Sequence, residues 1–161
     1  MNEEQINILI ADTETFIYFQ QKKINKIIES EEVISAENIA KILKHFSDSL
    51  DRISRLLGKV MDIKSQEKLS EIYDISLSTL AWIVYTFPSL ELYNSLFPEN
   101  FILKDKDMLD FLAYNMMELE NIMNNTKSLK SFTLDVSDNL QEASALLGYL
   151  SEISDRSSYF N

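Results

Sequence analysis

Cysteine is absent from this 161-residue chain, glycine and proline occur only twice each, and there is a single histidine. Without thiols there is no disulfide framework and no thiolate metal site, a composition that fits a reducing compartment and equally an oxidising one where cysteine is not used. Strands need turns, and turns draw on Gly and Pro for positive or preset φ, so Gly58, Gly148, Pro88 and Pro98 are too few for a β-rich chain. The composition therefore predicts an all-α fold. Two isolated glycines also exclude the Gly-rich phosphate cradle of Walker-type and dinucleotide-binding enzymes.

Other absences bear on location and partners. No apolar run approaches the roughly 18 residues of a membrane span. Met1-Asn2-Glu3-Glu4 is acidic where a secretory signal would be basic. These features predict a cytoplasmic protein with no membrane partner. Fifteen Lys and Arg stand against 26 Asp and Glu, and a formal net charge of −11 repels nucleic acid phosphates and anionic lipids, so direct nucleic-acid binding is not expected. Residues 69–103 and 131–155 contain no Lys or Arg at all. The first stretch is mostly apolar and reads as core, whereas the second is acidic and reads as surface.

What is present is helical periodicity. At this length a chain buries roughly 70% of its extended surface, enough for a core without metal or disulfide staples. The pattern predicts one domain over residues 1–161, a single-domain antiparallel helical bundle of about five long helices plus one short helix. The first helix, about Glu3 to Glu29, carries the stripe Ile6, Leu9/Ile10, Thr13, Phe16/Ile17, Gln20, Ile24, Ile27/Ile28. Ile8 and Phe19 form a weaker apolar side opposite, and Asp12-Thr13 marks a candidate break.

Ser35 is the expected N-cap of a second helix, about Ala36 to Met61, whose stripe Ile39, Leu43, Phe46, Leu50, Ile53, Leu57, Val60 steps regularly by four and three. That seam suits either the chain's own helices or a second copy, which would make a homo-oligomer. On its outer face Asp48/Arg52 and Asp51/Arg55 are spaced as i, i+4 ion pairs of about 0.3 kcal/mol each. Gly58 is either helical or the helix end.

After a turn near Asp62 to Ser65, a third helix from about Gln66 to Phe87 carries Leu69, Ile72/Tyr73, Ser76, Leu80, Ile83 and Phe87. Pro88 forbids its continuation. Apolar all round from residue 80, with Trp82 and Tyr85 on the other side, it reads as the central helix of the bundle. A short helix from Ser89 to Phe97 and a packed apolar piece from Pro98 to Leu103 come next. A fourth long helix from about Asp107 to Met123 follows, and Asn124-Asn125-Thr126, a sequon, reads as the polar connection after it. The last helix, about Lys127 to Asp155, turns Val136, Leu140, Ala143, Leu147 and Leu150 inward.

Chemistry-bearing motifs are few. His45 falls on the flank of the second helix with Ser49 and Leu56, which reads as a bundle edge, and no nucleophile or orienting partner is identifiable for it. Position 42, three before His45, is Ile, so the Glu-x-x-His motif of carboxylate-bridged metal bundles is missing. Asp105, Asp107 and Asp110 resemble the start of a calcium loop, yet Asp110 stands where Gly is needed and Met116 where the bidentate Glu belongs. They read as the cap and first-turn charges of the fourth helix. Glu67/Glu71 and Glu118/Glu120 read as solvated carboxylates. No cofactor is implied, and no catalytic residue is assigned.

Projected at 100° per residue, Asp135, Asp138, Glu142, Tyr149 and Glu152 share one ridge, away from the inward stripe of the last helix and with no compensating base. A row of carboxylates with an aromatic among them suits a basic partner. The expected function is therefore a non-enzymatic interaction protein, an adaptor, inhibitor or immunity-type binder. Two alternatives are a nucleic-acid mimic that blocks a DNA- or RNA-binding protein, and an enzyme with a carboxylate-bound metal. Trp82 and Tyr85 form a rival patch, either core or partner anchor.

Overall fold

The computed structural model describes residues 2–30, 36–60, 65–89 and 129–157, together with residues 114, 117, 118 and 121. Four long helices fill the continuous runs: α1 over Glu3–Ser30, α2 over Ala36–Lys59, α3 over Gln66–Ser89 and α4 over Leu129–Ser157. The described residues are thus all-helical, as composition predicts, but the count is four long helices rather than five plus a short one. The expected short helix from Ser89 to Phe97, the piece from Pro98 to Leu103, Asp105, Asp107, Asp110, the sequon and Ser35 lie outside the described residues, Ser89 excepted. Of the expected fourth helix, residues 114, 117, 118 and 121 are described, and all are helical.

Local chemistry explains the ends. Asn2 Oδ1 accepts the Gln5 backbone N–H at 2.8 Å while Gln5 Oε1 accepts the Asn2 N–H at 3.0 Å, a reciprocal capping box that satisfies two otherwise orphaned donors of α1. Ser65 caps α3 through the Lys68 N–H at 3.3 Å. That helix runs to Ser89, two residues past the expected stop, and ends there because Pro88 lacks the N–H for an i−4 bond and its ring crowds that carbonyl, so no further turn can follow. Nor does α1 break at Asp12-Thr13. The Thr13 hydroxyl donates to the Leu9 carbonyl at 2.8 Å, so a residue that favours caps is satisfied inside the helix, and Ser49, Ser76 and Thr79 do the same toward His45, Ile72 and Ile75.

Packing centres on α2. Every member of the stripe Ile39, Leu43, Phe46, Leu50, Ile53, Leu57, Val60 is buried, with Ala40, Ser47 and Ser54 buried on one side of it and Ser49 and Leu56 on the other. Among the described residues α2 packs against α1, α3 and α4, most extensively against α4. The apolar stretch of α3 is only partly covered among the described residues: Leu80 and Ile83 are buried, Trp82 sits edge-on to the Phe46 ring at 4.9 Å, and Tyr85 is 72% exposed. The stripe of α2 is buried within this one chain. Each fully buried Leu or Ile contributes about 1.5–3 kcal/mol of transfer free energy.

The α2–α4 seam is the closest in the molecule. Ser47 and Ser144 exchange hydroxyl-to-carbonyl hydrogen bonds, both 2.9 Å, with their hydroxyls 3.1 Å apart. The Ser54 hydroxyl lies 3.0 Å from that of Ser137 and donates to the Ser137 carbonyl at 3.4 Å, and the Ser151 hydroxyl donates to the Ala40 carbonyl at 2.7 Å. The pairs 40/151, 47/144 and 54/137 step by seven in opposite directions, which fixes an antiparallel register two helical turns at a time. A side-chain hydroxyl reaches a partner backbone only when the two helices come close, and small residues allow that approach. Gly148 adds to it, since a Cβ there would stand 3.4 Å from Ser47 Oγ.

The remaining strip of α2 faces solvent and is laced by i, i+4 ion pairs: Glu37 with Lys41 at 3.6 Å, Lys44 with Asp48 at 3.1 Å, Asp51 with Arg55 at 2.9 Å. The expected Asp51/Arg55 pair is present. Asp48 takes Lys44 in place of Arg52, because Arg52 turns toward α1 and lies over the Phe16 ring at 5.2 Å.

Candidate functional site

With its inner face held on α2, α4 turns a fixed outer face to solvent. Val136, Leu140, Ala143, Leu147 and Leu150 are fully buried, as the periodicity predicts, and Asp135, Asp138, Glu142, Ala145, Tyr149 and Glu152 are exposed at alternating steps of three and four. The structure therefore brings all five sequence-picked residues onto one face. Tyr149 stands 53% exposed among the carboxylates, and no Lys or Arg occurs in the sequence from 131 to 155. This arrangement gives the face a negative potential with one amphipathic ring in it.

The rival patch divides. Trp82 is held against the core by Phe46, which leaves Tyr85 as an exposed ring without its neighbour. A different apolar surface lies on the outer side of α1, where Ile8, Tyr18 and Phe19 are all about half exposed and the Lys22 ammonium caps the Tyr18 ring at 4.7 Å.

His45 is half-buried at the α1–α2 seam, not at a bundle edge, because α1 covers the flank that also carries Ser49 and Leu56. Burial, and secondarily the charge of Lys23, hold its imidazole below the ordinary 6.5, while Asp48 pulls the other way. Its Nδ1 has no hydrogen-bond partner among the described residues, and the same is true of Gln20 Oε1 on α1. Of the other carboxylates, Glu71 is engaged by the Lys68 ammonium at 3.4 Å, and no group of three or more His, Asp or Glu among the described residues is placed to hold a metal ion.

One feature escapes sequence reasoning. Leu9 and Thr13 of α1 and Arg52, Arg55, Leu56 and Lys59 of α2 line a cavity of about 80 Å³ between the two helices. Arg52, Arg55 and Lys59 lie within about two turns of one helix, so a basic stripe was legible, but which helix faces it is not a local property of the sequence.

Among the described residues no helix is long and apolar enough to cross a membrane. Comparison with curated proteins and with solved structures finds no match to this chain. Residues 6–161 match a family model described as "Uncharacterized protein", and the chain belongs to that family.

Proposed function

We propose that this chain is a non-enzymatic protein–protein interaction module, a cytoplasmic adaptor or inhibitor, that presents the outer face of α4 to a basic surface on another protein. The observation that carries the reading is the exposure of Asp135, Asp138, Glu142, Tyr149 and Glu152 on one face of a helix. Carboxylates in a row speed encounter with a cationic partner and make it salt-dependent. Tyr149 supplies the apolar contact that charge alone lacks. The Ser47/Ser144 and Ser54/Ser137 pairs hold the α4 backbone before any partner arrives, so little ordering is required on binding.

Affinity capture from the source cells at low salt, with the native chain and an Asp135→Lys/Asp138→Lys/Glu142→Lys variant side by side, tests this. The expected result is a partner retained by the native chain, released by added salt and lost by the variant. Recovery of the same species with both chains, or of none with either, overturns the reading. A captured protein that gives up bound DNA or RNA when this chain is added would make the acidic face a phosphate mimic.

A further inference from the structure

We propose that the cavity at the α1–α2 seam is a binding site for a phosphate group, free or carried on a small molecule, held by Arg52, Arg55 and Lys59. Its volume of about 80 Å³ is the room of several waters, each of which needs roughly 10–15 Å³, and is a space suited to one tetrahedral oxoanion. The lining contains no carboxylate. Three cations supply the polar wall, Leu9 and Leu56 the apolar one, and the Thr13 hydroxyl is already spent on the Leu9 carbonyl.

In a chain of net charge −11 with three arginines in all, two of them converge on this one cavity. On α2 and α3, Lys41, Lys44 and Lys68 each have a carboxylate within 3.6 Å. Arg52 and Lys59 have none within 4.0 Å among the described residues, and their charges are uncompensated. The Arg52 guanidinium lies over the Phe16 ring, its Cζ 5.2 Å from the ring centre, a contact that leaves N–H groups to donate. Arg55 gives its Nε to Asp51 at 2.9 Å and keeps its two terminal nitrogens. Two guanidinium forks and an ammonium favour a dianion over a monocarboxylate, and a phosphate monoester carries about −1.5 to −2 at neutral pH.

The test is a titration of isotopically labelled full-length protein with inorganic phosphate, and separately with glycerol 2-phosphate, at ionic strength held constant with chloride and followed by NMR. Saturable shifts centred on Arg52, Arg55, Lys59, Leu9 and Thr13 are expected. Arg52→Gln should weaken binding about ten-fold or more, since it removes a charge-assisted pair. Arg52→Lys, which keeps the charge and the helix but loses the fork, should fall between. Lys41→Gln, on the outer strip of α2, should change nothing, and the spectra themselves report that each variant is folded. Tighter binding of the monoester would assign a phosphorylated small molecule, and equal binding free phosphate. Shifts that never saturate, or that are as large in Arg52→Gln as in the native chain, overturn the proposal. That outcome would leave the reading of the α4 face untouched, because the cavity and α4 lie on roughly opposite sides of α2.

Discussion

Two seams run along α2, and they are built on different principles. Toward α4 the contact residues are small, the helices approach closely, and hydroxyls meet backbone carbonyls across the gap, with Ser47 and Ser144 bonding reciprocally at 2.9 Å. Toward α1 the residues are larger and less matched: Arg52 lies over Phe16, the Gln20 carbonyl oxygen and His45 Nδ1 have no hydrogen-bond partner among the described residues, and a cavity of about 80 Å³ remains. A seam cross-linked by hydroxyl-to-carbonyl hydrogen bonds at seven-residue steps specifies one register. A seam with orphaned polar atoms and a hole is less stable, and the same imperfection gives it capacity for a ligand. The acidic face of α4 is carried on the first kind, and the cavity lined by Arg52, Arg55 and Lys59 sits in the second.

The contrast breaks most visibly with one leucine. Ser47→Leu should destabilise the protein by about 3 kcal/mol, because the longer side chain meets Gly148 and Ser144 and the cross-seam hydrogen bonds are lost. Thr13→Leu, the corresponding enlargement on the α1 side, should cost no more than about 1 kcal/mol, since the added carbons extend into the cavity. Urea denaturation midpoints compare the two directly. Equal losses would mean that the seams are equally tight.

Gln20→Leu addresses the orphaned oxygen. Replacing a buried amide that lacks its partner by an apolar side chain of similar size should stabilise the chain by about 1 kcal/mol in the same assay. Gly58→Ala provides a reference on the solvent side of α2, touching neither seam. The residue is helical, a Cβ there meets nothing within 4 Å, and the gain should be about 0.5–1 kcal/mol in thermal or urea unfolding.

The smallest effect is the pH dependence of the α1–α2 seam. Burial and Lys23 lower the folded-state pKa of His45 below its unfolded 6.5, so the unfolded chain takes up the proton first as pH falls. Stability attributable to neutral His45 is full above the unfolded value and is lost as pH falls from about 6.5 through the folded value. Unfolding measured across that window should show this loss in the native chain and not in His45→Gln. An unaltered pH profile in the variant would remove His45 from the seam's acid response.

How much of this was legible in the sequence can be argued from particular stripes. Ile6 to Ile24, Ile39 to Val60 and Val136 to Leu150 alternate by three and four, and each is buried, because amphipathic spacing is a local property of a 3.6-residue helix. The outward placement of Asp135, Asp138, Glu142, Tyr149 and Glu152 follows from the same arithmetic. Less legible was which faces close tightly: Ala40, Ser47 and Ser54 are buried against α4, and such small residues carry little weight in an apolar count.

The sequence by itself determined that the chain is helical, which side of each helix turns inward and which acids turn out, since these depend on residues a few positions apart. Only the tertiary structure decided that Ser47 meets Ser144 and Ser54 meets Ser137, and that Arg52, Arg55 and Lys59 close over Leu9 and Thr13. Those pairings join residues far apart in the chain. Any two apolar stripes can in principle face each other, and the choice is made by shape and hydrogen bonding at contact, which periodicity does not encode.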